Sequence, residues 1–289
     1  MPCTGWSITL ALAFFLSAPL ARAAVLYDGS LSGTPAAQSW NYIADDPTPL
    51  FDAVQATHSE SGGVTTLDTT PDIQDRAGYF SEIPFFGTLK HPLLGTLDRA
   101  GDGYTVRIRA RVVSEDHSGS THRAGLSLIV LSSDSVGLEL AFWEDEIWAQ
   151  DDAPSLFVHD EGTAFDTTSA IVTYDLSILG SSYQVFADGV PILSGALRNY
   201  SAHSNPVYSE TNFIFVGDDT TSARAQAEIT YIEVLEQALA VPEPSTLSLA
   251  VLGLVLSWLI CRRRAKLKVF VNCGALFRAF LSLTEGQSP

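Results

Sequence analysis

Cysteine is almost absent from this chain of 289 residues. The three cysteines are Cys3, Cys261 and Cys273, so the long segment 24–240 contains none. That segment cannot form a disulfide, and its stability has to come from the size of its hydrophobic core. The same absence excludes thiol nucleophiles, iron–sulfur clusters and cysteine-ligated zinc from this part of the protein.

Basic residues are scarce as well. The chain has 16 Lys and Arg against 33 Asp and Glu, a net charge of −17, and segment 24–240 alone carries −22. A nucleic acid would be repelled by this field, because it needs a basic face that releases its counterions, so we exclude nucleic-acid binding. A hydrophobic fraction of 46% excludes disorder.

Several enzyme signatures are also missing from the chain. Ser-x-x-Lys, Gly-x-Ser-x-Gly and His-Glu-x-x-His do not occur. The hydrolase classes that these motifs define therefore have no support in this sequence.

The N-terminal residues have the pattern of an export signal. An apolar stretch, Ile8–Leu16, precedes Ala21-Arg22-Ala23, a small-x-small site that signal peptidase cuts before Ala24. The pattern predicts a signal peptide over residues 1–23. The alternative is a retained N-terminal anchor, although the apolar stretch is short for a membrane-spanning helix.

The C-terminal side has a second membrane-directed pattern. Pro242 and Pro244 prevent a helix, and the apolar run Leu247–Cys261 follows them. Three basic residues then stop transfer and hold that end in the cytoplasm: Arg262, Arg263 and Arg264. We predict a transmembrane helix over 247–261, which is short for a bilayer but is helped by snorkelling arginines.

This arrangement resembles the PEP-CTERM sorting signal of Gram-negative bacteria, with Pro242, Glu243 and Pro244 as its motif and 241–264 as its extent. The resemblance implies processing by an exosortase-type membrane protease and transient anchoring in the inner membrane. It also implies delivery to the cell surface or the extracellular matrix. Residues 265–289 depart from the pattern, and they are either a cytoplasmic or interfacial tail or a spurious extension.

Segment 24–240 has the alternating hydrophobicity of antiparallel strands. In Tyr104–Val112 one face is apolar and the other carries Arg107, Arg109 and Arg111. No long amphipathic helix is visible, and turn signals such as Asp188-Gly189 separate the short strands. The pattern predicts one all-β domain, a two-sheet antiparallel sandwich or jelly roll. Further strands are predicted at 126–131, 136–143, 171–179, 182–187, 190–193, 212–216 and 227–235.

Two resemblances refine this fold. The hairpin Tyr183–Gly189 and the ending Phe215–Thr220 resemble concanavalin-like and laminin-G-like sandwiches, a group that includes lectins and glucanases. The stretches Leu26–Leu31, Val64–Thr70 and Glu139–Gln150 look like the "choice-of-anchor" surface domains of bacteria. That second resemblance implies a surface location but no agreed activity.

Catalytic candidates are few. Glu144 and Glu146 would share one face of an extended strand, and a retaining glycosidase needs two carboxyl groups about 5 Å apart. The spacing does not match the pattern of glucanases on this fold, and a solvated acidic loop has the same composition. We therefore assign no catalytic residue and retain these two as the candidates of an enzymatic alternative.

Ligand-binding candidates lie on both sides of that acidic stretch. Tryptophan faces stack on sugars, and a polar loop at 115–123 carries two histidines and an arginine that can pair with a glutamate on the next strand. The arginine stripe of Tyr104–Val112 either binds acidic polysaccharide or pairs across strands with glutamates. The ligand candidates are Trp143, Trp148, Glu139, Arg123, His117 and His122.

Calcium is the cofactor that suits this composition. Sandwiches of this type hold Ca²⁺ at a sheet edge through carboxylates, and Asp28, Asp218 and Asp219 would meet if the first and last strands paired. Ordinary turn aspartates are the alternative.

The sequence as a whole predicts an exported protein processed by signal peptidase and an exosortase, with a non-enzymatic carbohydrate-binding or matrix module. Extracellular polysaccharide is the expected partner of that module. Two alternatives stay open: a glycan-active hydrolase or lyase, and a purely structural surface protein.

Overall fold

The computed structural model describes residues 22–47, 53–83, 89–153 and 155–239. All of them belong to the first of two compact units, which ends at Leu239. The predicted signal peptide, except for its last two residues, and the whole of the predicted sorting segment lie outside the described residues. No helix within the described ranges is long and apolar enough to cross a membrane.

The described part of the chain consists of strands and short 3-10 turns. The turns are Gly29–Leu31, Pro35–Gln38, Tyr200–Ala202 and Pro206–Ser209. The strands are β1 (Ala23–Asp28), β2 (Asn41–Asp45), β3 (Thr57–Ser61), β4 (Val64–Asp68), β5 (Arg76–Phe80), β6 (Tyr104–Asp116), β7 (Ser127–Leu131), β8 (Gly137–Phe142), β9 (Glu146–Gln150), β10 (His159–Ala164), β11 (Val172–Leu179), β12 (Ser182–Ala187), β13 (Val190–Ala196), β14 (Phe213–Asp218) and β15 (Arg224–Leu235).

These strands form two antiparallel sheets. Sheet A has the order β13-β12-β11-β6-β15-β4-β3, and β1 also pairs with β15. Sheet B has the order β10-β9-β8-β7-β14-β5-β2. The predicted two-sheet antiparallel sandwich is confirmed. The turn between β12 and β13 is at Asp188-Gly189, as predicted, and both residues have positive φ, which suits a tight hairpin.

The main core lies between the sheets. Strands β6, β7, β8, β11 and β12 contribute every second residue, which is the periodicity that the sequence showed for β6. From β6 the buried side chains are Tyr104, Val106, Ile108, Ala110 and Val112.

A second apolar layer covers the outer face of sheet B. Here Phe213, Phe215 and Ile129 pack against Tyr200 and Tyr208, which come from the loop between β13 and β14. The strands in the middle of sheet B are therefore buried on both faces. This explains why β7 is apolar at nearly every position instead of alternating.

Both ends of the described chain lie at one end of the sandwich, which we call the terminal pole. Ala23 at the start of β1 pairs with Leu235 at the end of β15, and Leu235 also pairs with Thr105. The other end is the distal pole, where Asp116 pairs with Arg224. At about 3.3 Å per residue, β6 places the two poles about 40 Å apart.

The arginine stripe is on the outer face of sheet A. Arg107 is bonded to Asp175 of β11 (2.6 Å) and Glu233 of β15 (3.3 Å). Arg111 is bonded to Glu228 (2.9 Å). The expected cross-strand pairing is therefore present for these two arginines, because β6 lies between β11 and β15. The partners of these two arginines belong to sheet A. Glu139 belongs to sheet B, so it is not a cross-strand partner of the arginine stripe.

Replacing Arg107 by Ala should destabilise the sandwich. Asp175 and Glu233 are only 3% and 7% exposed, so the change leaves two carboxylates with little solvation and no cation. We expect a loss of about 2 kcal/mol in the free energy of unfolding, measured by chemical denaturation. Arg109→Ala is the matched control, because exposed Arg109 lies over the ring of Tyr231 and should cost below about 1 kcal/mol. Equal losses in the two variants would contradict the assignment.

Candidate functional site

A buried polar network lies on the outer face of sheet B. In β8 the alternating residues Leu138 and Leu140 face the core, so Glu139 points outwards. It is nevertheless completely buried, because the β13–β14 loop covers it. Arg123 Nη1 is 3.3 Å from Glu139 Oε1, the pair expected from the sequence.

Two further residues complete this set, which we call the carboxylate network: Arg123, Glu139, Tyr208 and Asp219. The hydroxyl of Tyr208 donates to Glu139 Oε2 at 2.7 Å and lies 3.2 Å from Asp219 Oδ2. Arg123 Nη1 is 3.8 Å from the same Asp219 oxygen. Two carboxyl groups therefore share one guanidinium and one phenol.

Burial decides the protonation of this network. Loss of solvation raises the pKa of Glu139 to about 8, and the charge of Asp219 acts in the same direction. Arg123 and the hydrogen bond from Tyr208 oppose the shift without cancelling it. Burial therefore favours the protonated form of Glu139 over the charged form, although the residue is paired with an arginine.

The covering loop is fastened to the sheet below it. The Tyr200 hydroxyl donates to the carbonyl of Gln150 at 2.7 Å and accepts from the amide of Glu139 at 3.2 Å. Phe157, from the loop between β9 and β10, packs against Tyr208 of the covering loop at 4.8 Å between ring centres. These contacts fix the loop over the network.

A groove of about 230 Å³ opens beside the network on the same face. Its apolar floor includes Phe215, Ile129 and Ile43, and Tyr208 lies along one wall. Gly78 makes room for the Phe215 ring, since a Cβ at this position would lie 2.3 Å from that ring. The Phe215 ring therefore packs against Gly78 and is only 2% exposed, whereas Phe80 in the same lining keeps a partly exposed ring.

The polar end of the groove is acidic. Asp219 lines it, and the buried Oδ1 atom of this residue has no hydrogen-bond partner among the described residues. Asp218 lines it too, but its carboxyl group is bonded to the Thr69 hydroxyl at 2.7 Å and the Thr220 amide at 3.0 Å. Burial raises the pKa of Asp218 well above its usual range. An ion pair between Arg76 and Asp45 forms the rim.

An aromatic cluster lies on the other side of the carboxylate network. The imidazole of His117 stacks on Trp143 at 4.0 Å between ring centres, and Trp143 meets Trp148 edge-on at 5.3 Å. His159 stacks on Trp148 at 4.3 Å. The indole N–H of Trp143 donates to the Arg123 carbonyl at 2.8 Å, which joins the cluster to the network.

The structure therefore brings the six ligand candidates of the sequence into one connected group. The backbone carbonyl of His122 accepts a hydrogen bond from Gln150 at 3.1 Å, which holds its loop beside the others. Glu139 and Trp148 have no exposed surface, so they do not contact a ligand directly in this conformation. His117, His122 and Trp143 keep exposed surface.

Four residues of this region were not found from the sequence: Glu115, His159, Tyr208 and Phe215. Glu115 accepts from His117 Nδ1 at 2.7 Å, and burial raises the pKa of Glu115 to about 7. Tyr208 lies 69 positions from its partner Glu139. Contacts between residues so far apart in the chain leave no local sequence pattern that predicts them.

The premise for Glu144 and Glu146 is wrong. Glu144 is in the turn between β8 and β9, and only Glu146 is on a strand. Glu144 accepts from the backbone amide of Glu115 at 3.1 Å, whereas Glu146 lies 3.3 Å from His159 Nε2. A hairpin turn, not an extended strand, separates the two carboxyl groups, so they do not share a strand face.

The three aspartates proposed to hold calcium do not meet. β1 and β15 pair, as the hypothesis required, but Asp28 falls opposite Tyr231, seven residues into a strand that begins at Arg224. Asp28 therefore lies about 23 Å from the Arg224 end of β15. It belongs to sheet A, whereas Asp218 belongs to sheet B. Asp28 instead caps the following turn through the Ser30 amide. In the described ranges no group of three metal-binding side chains occurs.

The stability of the sandwich should fall as the pH rises from about 5 to about 8. The pKa of Glu139 is raised in the folded state, so folding takes up a proton there. Its contribution is complete below the unfolded pKa near 4.5 and is lost as the pH approaches the folded value. The expected slope from this residue is about 1.4 kcal/mol per pH unit.

The variant Glu139→Gln isolates this contribution, because an amide keeps the hydrogen-bonding shape but does not titrate. Unfolding by urea at several pH values should give a shallower pH dependence for the variant than for the native protein. Parallel curves for the two proteins would show that Glu139 is ionised in the folded state.

Comparison with known structures shows distant similarity to other β-sandwiches. A carbohydrate esterase from Shiga toxin-encoding bacteriophage phi24B has a TM-score of 0.49 and 13% identity, covering 75% of this chain and 100% of its own. A protein of unknown function with a galectin-like fold from Bacillus subtilis has a TM-score of 0.44 and 12% identity, covering 76% and 100%. An alginate lyase of polysaccharide lyase family 7 has a TM-score of 0.37 and 11% identity, covering 75% and 95%.

Comparison by sequence gives one informative match. No curated protein matches the chain significantly. Residues 240–264 match the family model of the PEP-CTERM protein-sorting motif. The predicted resemblance is therefore confirmed, and the chain carries the sorting motif of exosortase substrates.

Proposed function

We propose that this protein is exported, is anchored transiently in the inner membrane and is released by an exosortase to the cell surface or matrix, where its sandwich binds polysaccharide without modifying it. The sorting motif at 240–264 supports the first part. The second part depends on the outer face of sheet B.

The groove beside Asp219 is the observation that carries the binding proposal. A sugar ring offers an apolar face, which can pack against the partly exposed side chains of Phe80 and Ile43 in the lining of the groove. It also offers hydroxyl donors, and Asp219 Oδ1, which has no partner among the described residues, can accept a hydrogen bond from such a hydroxyl. A cavity of about 230 Å³ has the size of one or two sugar rings.

The aromatic cluster extends this surface. The side chain of His117 is 37% exposed, and its ring lies flat on Trp143. Both residues are near the distal pole, away from the two ends of the described chain. A polysaccharide longer than the groove would have a second contact there.

A second candidate function, glycan hydrolysis or lysis, is favoured by one feature. Burial raises the pKa of Glu139 beside a second carboxyl group, and enzymes prepare general acids in this way. Its complete burial argues for a structural role unless the covering loop opens. A purely structural surface protein is the remaining alternative.

Deleting Pro242–Pro244 should leave the protein in the inner-membrane fraction. The deletion removes the motif that the processing enzyme recognises while keeping the apolar run that follows. Cell fractionation with detection of the β-sandwich measures the outcome. Replacing Gln287 and Ser288 by Ala is a control outside residues 240–264 and should leave release unchanged. Normal release of the deletion variant would refute exosortase sorting.

Asp219→Asn should weaken polysaccharide binding about tenfold or more, because it removes a charged acceptor from the groove. A glycan array on the purified sandwich identifies a ligand, and calorimetry then compares the variants. Glu228→Gln on sheet A is the matched control and should bind like the native protein. Release of reducing ends that Glu139→Gln abolishes would favour the enzyme, and failure to bind any polysaccharide would favour a structural protein.

A further inference from the structure

The predicted signal-peptidase bond lies inside a β-strand of the folded protein. The bond joins Ala23 and Ala24, and both residues belong to β1. They pair antiparallel with Leu235 and Val234 of β15. The pairing extends one residue further, since the amide of Glu236 donates to the carbonyl of Arg22 at 2.9 Å. The bond that has to be cut is therefore part of the ladder of sheet A.

This end of β15 is held firmly. Val234 belongs to the main core, and the segment after the strand is bonded to neighbouring parts of sheet A. The Thr105 hydroxyl donates to the Gln237 carbonyl at 2.9 Å, and the amide of Ala238 donates to the Asp102 carbonyl at 2.7 Å. The amide of Leu239 donates to the Ser177 hydroxyl at 2.8 Å. The strand opposite Ala23 is consequently not a frayed end.

β1 is held as firmly as its partner. Leu26 and Tyr27 are 2% and 0% exposed, and the Tyr27 hydroxyl is 2.8 Å from Thr65 Oγ1. Freeing the first residues of β1 strains this anchored part of the strand. A protease cleft needs several residues in a free extended conformation, so cleavage of the folded protein has to wait for local opening.

The two strands come from opposite ends of the domain. β1 is the first element of the described chain and β15 is the last. About 210 residues separate Ala24 from Val234, which at 5–20 residues per second corresponds to about 10 to 40 s of synthesis. During that interval β1 has no partner, because among the described strands it pairs with β15 alone.

We propose that β15 is the closing strand that ends signal-peptide removal: once it pairs with β1, the Ala23–Ala24 bond is protected from signal peptidase. The proposal depends on the export signal of the proposed function. It makes processing sequential, with cleavage first and closure of the sandwich second. A precursor that folds before cleavage keeps its signal peptide.

The test compares two folded precursors of full length in detergent, incubated with purified bacterial signal peptidase. One is the native chain. The other carries Gly-Ser-Gly-Ser between Ala24 and Val25, which moves the bond out of the ladder and leaves the pairing from Val25 onwards intact. The insertion variant should be cleaved about tenfold faster or more. Equal rates would overturn the proposal.

A second measurement uses the native chain alone and does not depend on a variant. The denatured precursor is diluted into refolding buffer, and peptidase is added after increasing delays. The cleavable fraction should fall with the same time course as the change in tryptophan fluorescence that reports folding. A cleavable fraction that stays constant while the protein folds would overturn this proposal but not the export signal. Absence of cleavage even at zero delay would overturn the export signal together with it.

Discussion

The pairing of β6 with β15 is the contact on which the rest of the sandwich depends. These strands of 13 and 12 residues lie in the middle of sheet A and join residues more than 100 positions apart. β15 also receives β1 and β4, so it assembles strands from the beginning, the middle and the end of the domain. Such long-range pairing is slow to form, because loop closure precedes any gain from the contacts. The arrangement also places both ends of the described chain at one pole.

The outer face of sheet B shows a second constraint. Its central strands are apolar on this face and would be exposed without a cover, and the β13–β14 loop supplies that cover. The cover buries Glu139 and raises its pKa, and it leaves a groove at its border. The buried carboxyl group and the groove thus have one physical origin, which is the way a loop protects an apolar sheet.

Local patterns predicted the parts of the fold that local physics decides. Alternation identified β6 and its arginine face, and Asp188-Gly189 identified a hairpin. Strands β2, β3, β5, β9 and β10 were not predicted. β2 and β3 are short, polar and half-exposed edge strands with little hydrophobic signal. In the candidate site, Arg123–Glu139 was predictable because the two residues are 16 positions apart on consecutive elements. Tyr208 and Phe215 come from a later part of the chain, and their place in the candidate site was not predictable.

The sequence by itself determined the all-β class, the absence of disulfides from segment 24–240 and the sorting motif, because composition and short contiguous patterns carry that information. Only the tertiary structure decided which carboxyl groups are buried, and it separated Asp28 from Asp218 and Glu144 from the strand of Glu146. It also placed the Ala23–Ala24 bond in the ladder of β15. Burial and strand register depend on residues far apart in the chain, so they arise only when the whole sandwich closes.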